Sequence, residues 1–153
     1  MDMSGEERIP ASREAVWAAL NNPNVLRKCI PGCETMEKKS ATEMTATVKV
    51  KVGPVSASFK GNVTLANLNP PESYTIIGEG SGGMAGFAKG STDVLLREEG
   101  GETVVTYTVK AQIGGKLAML GSRLIDSSSK RLAGQFFQKL NKIVTKRAEP
   151  SEA

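Results

Sequence analysis

Residues 116–147 form a single helical pattern, broken by glycines but by no proline, and it comes only after a long run of strand-like segments. Gly114-Gly115 marks the change from period-two alternation to helical spacing. One long helix following strands predicts an α+β fold, with the helix lying against a single curved antiparallel sheet. Such an arrangement leaves a space between sheet and helix. Whether that space is filled decides what the chain can do. The 153 residues fit one domain, expected over 1–147 with a flexible tail at 148–153. A domain of this length buries roughly 70% of its unfolded surface.

Ahead of the helix, Glu6-Glu7-Arg8-Ile9 reads as a short edge strand stopped by Pro10. Ser12 is placed to cap a short helix carrying Val16, Trp17 and Leu20 on one face. Asn21-Asn22-Pro23 ends that helix, and Pro23 opens another through Arg27; Pro31-Gly32 signals a turn. Met44, Ala46, Val48, Val50 and Val52 then alternate with polar residues, the mark of a half-buried antiparallel strand. After Gly53-Pro54 the alternation resumes at Val55, Ala57, Phe59, Gly61, Val63 and Leu65, until Asn69-Pro70-Pro71. Further strands are expected at Tyr74–Gly80 and Phe87–Arg97, and again where Val105, Tyr107, Val109, Ala111 and Ile113 face one way.

The chain has no histidine. Ser-His-Asp and Cys-His catalysis, His-ligated zinc and a histidine pH switch are therefore excluded. Cys29 and Cys33, the only cysteines, flank Pro31-Gly32. Two cysteines cannot close a four-ligand zinc site, and a redox pair favours Cys-x-x-Cys at a helix N-terminus. Small residues packed around a sharp turn is the reading preferred here. No apolar run of about 18 residues is present, and the acidic start Asp2–Glu7 is unlike a signal peptide, so the expected compartment is the cytoplasm.

Net charge is +4 and uneven: residues 116–147 carry eight basic side chains and one acid, while the remainder has twelve basic and fifteen acidic residues. An anionic surface is the natural partner of such a helix, and a merely solvated face is the plainer alternative. Few aromatics are available for stacking bases, so nucleic-acid binding is not expected.

The order of these elements resembles the helix-grip fold of START-like proteins. Within them the chain is similar to the G-subunit family of carbon monoxide dehydrogenase. The motifs that carry the resemblance are Cys29-Ile30-Pro31-Gly32-Cys33, Val52-Gly53-Pro54-Val55, Phe59-Lys60-Gly61, Asn69-Pro70-Pro71 and Gly86-Phe87-Ala88-Lys89-Gly90, followed by the stretch from Gly114 to Ile125 and by Phe136-Phe137. They span residues 5 to 145. The resemblance implies an accessory protein of molybdenum-containing hydroxylases, with a hydrophobic cavity for quinone-like or lipid-like molecules and no bound cofactor. Some relatives end in a membrane-anchoring segment; for this chain, ending at Glu152-Ala153, the expected membrane contact is peripheral, at the inner face.

Small residues on the expected sheet face (Ala46, Ala57, Gly61, Gly78, Gly80, Ala88, Gly90) leave volume beneath the helix stripe Leu117, Leu120, Leu124, with Met119 beside it. Because interiors pack densely, either larger side chains fold inward or a ligand fills the gap. The expected cavity residues are Phe59, Met84, Phe87, Tyr107, Leu117, Met119, Leu120 and Leu124, with Met84 and Phe87 as lips on a glycine-rich hairpin tip. The alternative for that tip is a glycine-bulged hairpin without function. Arg123 shares a face with Lys116 and Lys130, and Lys139, Lys142 and Lys146 form a second basic stripe; Arg123 and this stripe are the expected membrane or partner contacts. A pocket of this kind measures on the order of 300–1,000 Å³. Burying about 400 Å² of apolar ligand gains roughly 10 kcal/mol, against association costs of about 4–15 kcal/mol. Binding that can be released follows.

The reading is a non-enzymatic carrier. Its rivals are an assembly or recruitment factor acting by protein contact, and a small polyketide-cyclase-like enzyme whose acid or base would come from Glu79, Asp93, Tyr107 or Arg123.

Overall fold

The structure, a computed structural model, describes residues 1–148, with side chains through Thr145. Of the tail expected at 148–153, residues 149–153 lie outside the described residues, and Ala148 ends the last helix. Strand β1 (Asp2–Ile9) leads into helices α1 (Arg13–Leu20) and α2 (Pro23–Cys29). Strands β2 (Cys33–Lys38), β3 (Glu43–Val52), β4 (Val55–Asn69), β5 (Ser73–Ser81), β6 (Phe87–Glu99) and β7 (Glu102–Gly114) follow, and helix α3 (Ser122–Ala148) comes last. All pairings are antiparallel, in the order β1-β7-β6-β5-β4-β3-β2. The curved sheet wraps one face around α3, which is the expected α+β helix-grip arrangement.

Local chemistry explains the short helices. The Ser12 side chain accepts the Ala15 amide at 3.2 Å, satisfying one of the donors a helix start leaves free. Asn22 caps α2 through the Asn24 amide at 2.9 Å, and Pro23 supplies a preset φ in the first turn. Since β1 and β2 are opposite edges of the sheet, α1 and α2 must cross between those edges, closing one end of the grip.

Strand β2 has no counterpart among the strands expected from the sequence. Its side chains do not alternate between buried and exposed, and its register shifts between Cys33 and Thr35, so a period-two search passes over it.

The 32-residue helical pattern is also divided. Gly115–Leu120 is a 3₁₀ segment, and α3 begins only at Ser122. Gly121 between them has φ 89°, a left-handed conformation that stops a helix and that glycine adopts without steric cost. Gly115, at φ 73°, lies against the Cα of Gly86, where a side chain would collide. The glycines at this junction therefore serve a close backbone approach and a sharp change of direction.

Two apolar clusters result. The larger joins α1, α2 and α3 to the sheet through Val16, Leu20, Val25, Tyr74, Leu96 and Val105; Leu140 and Val144, one turn apart on α3, are fully buried in it. The smaller lies near the 3₁₀ segment and centres on Val52, Phe59 and Leu117, with Leu120 and Leu124 packed against it.

Candidate functional site

Between the larger cluster and the middle of α3 is a cavity of about 250 Å³. Its floor is the inward row of the sheet, from Met44 on β3 through Val63, Ile76 and Thr92 to Val109. Ala133, Phe136 and Phe137 on α3 roof it, and Leu20, Leu26 and Ile30 close the end made by the short helices. Polar groups are few. The polar side chains on its wall are Thr92, Tyr74 and Tyr107, and among the described residues no carboxylate, lysine or arginine lines the space.

The two phenols differ. Tyr74 is buried edge-on against Trp17, with ring centroids 4.9 Å apart, and burial raises its pKa. Tyr107 lies over Gly5 of β1, its partner in register, and stacks on Phe137 at 5.2 Å. Burial, and then the charge of Glu7, push its pKa up. Neither hydroxyl forms a hydrogen bond to another described residue. Both stay protonated at neutral pH and can donate.

An open depression of about 490 Å³ adjoins the cavity, sharing Met3, Ile30, Ala133 and Phe136 with it. Its outer wall runs from Pro31-Gly32 along Val48–Lys51 to Ser129 and Leu132. The depression lies at the surface between α3 and β3.

Of the residues expected at the cavity, Tyr107 lines it. Phe59, Leu117, Leu120 and Leu124 meet instead in the smaller cluster, which Ala57 of the small sheet residues also joins. Gly61 and Gly80 face each other on β4 and β5, and Gly78 faces Gly90 on β5 and β6, one row nearer the cavity. A Cβ at Gly61 would strike the Glu79 carbonyl, and one at Gly90 the Lys110 carbonyl. These glycines let the sheet coil tightly. Met84, in a 3₁₀ turn at Gly83–Ala85, and Met119 point outward, 82% and 84% exposed; Phe87 is 40% exposed.

Arg123, Lys139 and Lys142 are exposed, while the Lys146 side chain lies outside the described residues. Sequence reasoning did not assign Phe136, Phe137 and Ala133 to the cavity. The signal was available, since Phe137, Leu140 and Val144 share one stripe. Met44, Val63 and Val109 belong to alternating sets visible in the sequence.

Cys29 is buried, and burial raises its thiol to about 11; Cys33 is half-buried and is raised for the same reason. A thiol held protonated is a poor nucleophile. At mildly alkaline pH, Ellman's reagent should label Cys33 slowly and Cys29 only after denaturation. Rapid release of two thiols from native protein would mean that α2 separates from the core. Among the described residues no group of three or more acidic or cysteine side chains could hold a metal, and no helix is long and apolar enough to cross a membrane.

Fold and cavity together define a helix-grip protein with an apolar chamber under its last helix. The sequence profile of the carbon monoxide dehydrogenase G subunit (CoxG) matches residues 5–145, and the chain belongs to that family. A conserved protein from Geobacillus kaustophilus is similar in structure, with TM-score 0.90 and 28% identity over 95% of this chain and 96% of that one. The Zhui aromatase/cyclase from a Streptomyces species has TM-score 0.70 at 11% identity, covering 100% of this chain and 98% of its own. Ara h 8.0201 has TM-score 0.64 at 13% identity, covering 95% and 98%. The latter two share the fold alone. None of the curated proteins matches the chain.

Proposed function

We propose that this protein is a non-enzymatic carrier of an apolar small molecule, a quinone or a lipid-like compound, serving a molybdenum hydroxylase of the carbon monoxide dehydrogenase type. The observation that carries the reading is an almost wholly apolar cavity between the sheet and α3. A quinone ring or a lipid chain gains by leaving water for such a lining. At about 250 Å³ the chamber is smaller than most ligand pockets. The adjoining depression gives a tail somewhere to lie while the ring is enclosed.

The lining also supports a carrier over a catalyst. Acid–base chemistry needs a proton-exchanging group near neutral pH within reach of the substrate. The titratable groups here are two phenols with raised pKa values. Of the other candidates, Asp93 accepts a hydrogen bond from Thr75 on the outer face of the sheet, and Glu79 and Arg123 are exposed away from the cavity. Serving a hydroxylase rests on the family membership.

Mass spectrometry of an organic extract of the purified protein should reveal a co-purified quinone or lipid. A short-tailed ubiquinone or menaquinone analogue should bind at about one per chain. An empty extract together with no binding of either analogue would overturn the carrier and leave recruitment by protein contact.

A further inference from the structure

The depression between α3 and β3 has a chemistry that the chamber lacks. Its lining is largely apolar, with Met3, Ile30, Val48, Val50, Leu132 and Phe136 around a volume of about 490 Å³. The charged residues on its wall are Lys49 and Lys51, and among the described residues no carboxylate lines it. Both lysines are exposed, and neither forms an ion pair with a described residue. The acids nearest along the chain are Asp2, Glu34 and Asp126, and none of them belongs to the lining. Asp2, between Met1 and Met3, lines a different depression together with Glu79, Lys89 and Lys110.

The wall beside the lysines is fixed. The Lys49 amide donates to the Gly32 carbonyl at 2.8 Å. Gly32 has φ 78°, and a side chain there would strike the Lys49 carbonyl, so the turn after α2 is seated directly on β3. On the α3 wall, Ser129 is half-buried. Its hydroxyl donates to the Met1 sulfur at 3.3 Å. A thioether is a weak acceptor, and a carboxylate oxygen is a far better one. Two unpaired ammonium groups and a hydroxyl at the edge of an apolar trough match one kind of occupant, an alkyl chain that ends in an anion.

We propose that the depression binds a single-chain carboxylate, a free fatty acid, with its head at Lys49, Lys51 and Ser129 and its chain along Val50, Leu132 and Phe136. Hydrogen bonds to an ionised head are stronger than neutral ones, and the chain gains by leaving water. Among the described residues no cation lines the chamber, so a charged head selects the depression. Ala133 and Phe136 border both spaces, and a chain lying here takes the room that the tail of an enclosed ring would use. The site rests on the depression alone and stands or falls apart from the carrier reading.

The test is calorimetric titration with decanoate and, as its uncharged match, 1-decanol, both kept below the concentrations at which they aggregate, so that no micelle or bilayer is present. Decanoate should bind about tenfold more tightly than the alcohol at low salt, and the margin should shrink as salt is raised. Lys49→Gln with Lys51→Gln should cut the margin to less than about twofold and leave decanol binding unchanged. Lys139→Gln with Lys142→Gln, the control on the far stretch of α3, should keep the margin. Thermal melts confirm folding, which substitution of exposed lysines should not disturb. No decanoate binding, equal binding of acid and alcohol, a margin that survives in the folded Lys49/Lys51 variant, or one lost equally in the Lys139/Lys142 variant would each overturn the proposal. Quinone-analogue binding is titrated separately, so failure of either measurement leaves the other reading intact.

Discussion

Replacing Leu140 by Ala should destabilise the protein by about 2–5 kcal/mol, among the largest losses from any single truncation. Leu140 is 0% exposed and, with Val144, fixes α3 to the short helices and the sheet. The cost combines lost transfer energy with the cavity left behind, and α3 cannot settle to close it because Phe136 and Phe137 already pack on one side. Urea unfolding would measure the change. Leu68→Ala, at a position 42% exposed, is the matched control and should move stability by less than about 0.5 kcal/mol. Equal effects at the two positions would mean that α3 is not held as described.

Ala133→Phe should abolish most quinone-analogue binding, raising the dissociation constant at least about tenfold. Ala133 is on the roof of the cavity and on the shared wall of the depression, so a ring there intrudes on both. The extra volume enters an existing space, so the stability change should stay within about 1–3 kcal/mol, the usual range for overpacking. Fluorescence titration and a thermal melt separate the two effects. Unchanged affinity in a folded variant would place the ligand elsewhere.

Much of the fold is legible in the sequence because alternation and helical spacing are physical requirements of half-buried elements. The inward sets on β3, β4 and β7 are each visible, as are the Ser12 cap and the proline start of α2. Strand β2 is not, because a bulged edge strand with little burial has no periodicity to show. Gly121 illustrates the opposite failure: period alone continues a helix across a glycine whose φ only the folded chain reveals.

The site was less legible than the fold. Leu117, Leu120 and Leu124 have the spacing of a cavity wall, yet all three pack in the smaller cluster, two before the turn at Gly121 and Leu124 in the first turn of α3. The chamber lies instead under Ala133, Phe136 and Phe137. Spacing identifies an inward face; it does not say which stretch of that face leaves room.

The sheet order also governs when the molecule can be completed during synthesis. Strand β1 pairs only with β7, Asp2 opposite Lys110 and Ile9 opposite Thr103, so the first strand made waits for nearly the last. The meander from β2 to β7 assembles from local hairpins, whereas this pairing closes a loop containing most of the chain, an entropic cost that slows folding. Until then β1 is an unpaired strand on a nascent chain, open to wrong partners. Its charges, Asp2, Glu6, Glu7 and Arg8, keep it a poor template for association while the ribosome finishes the rest.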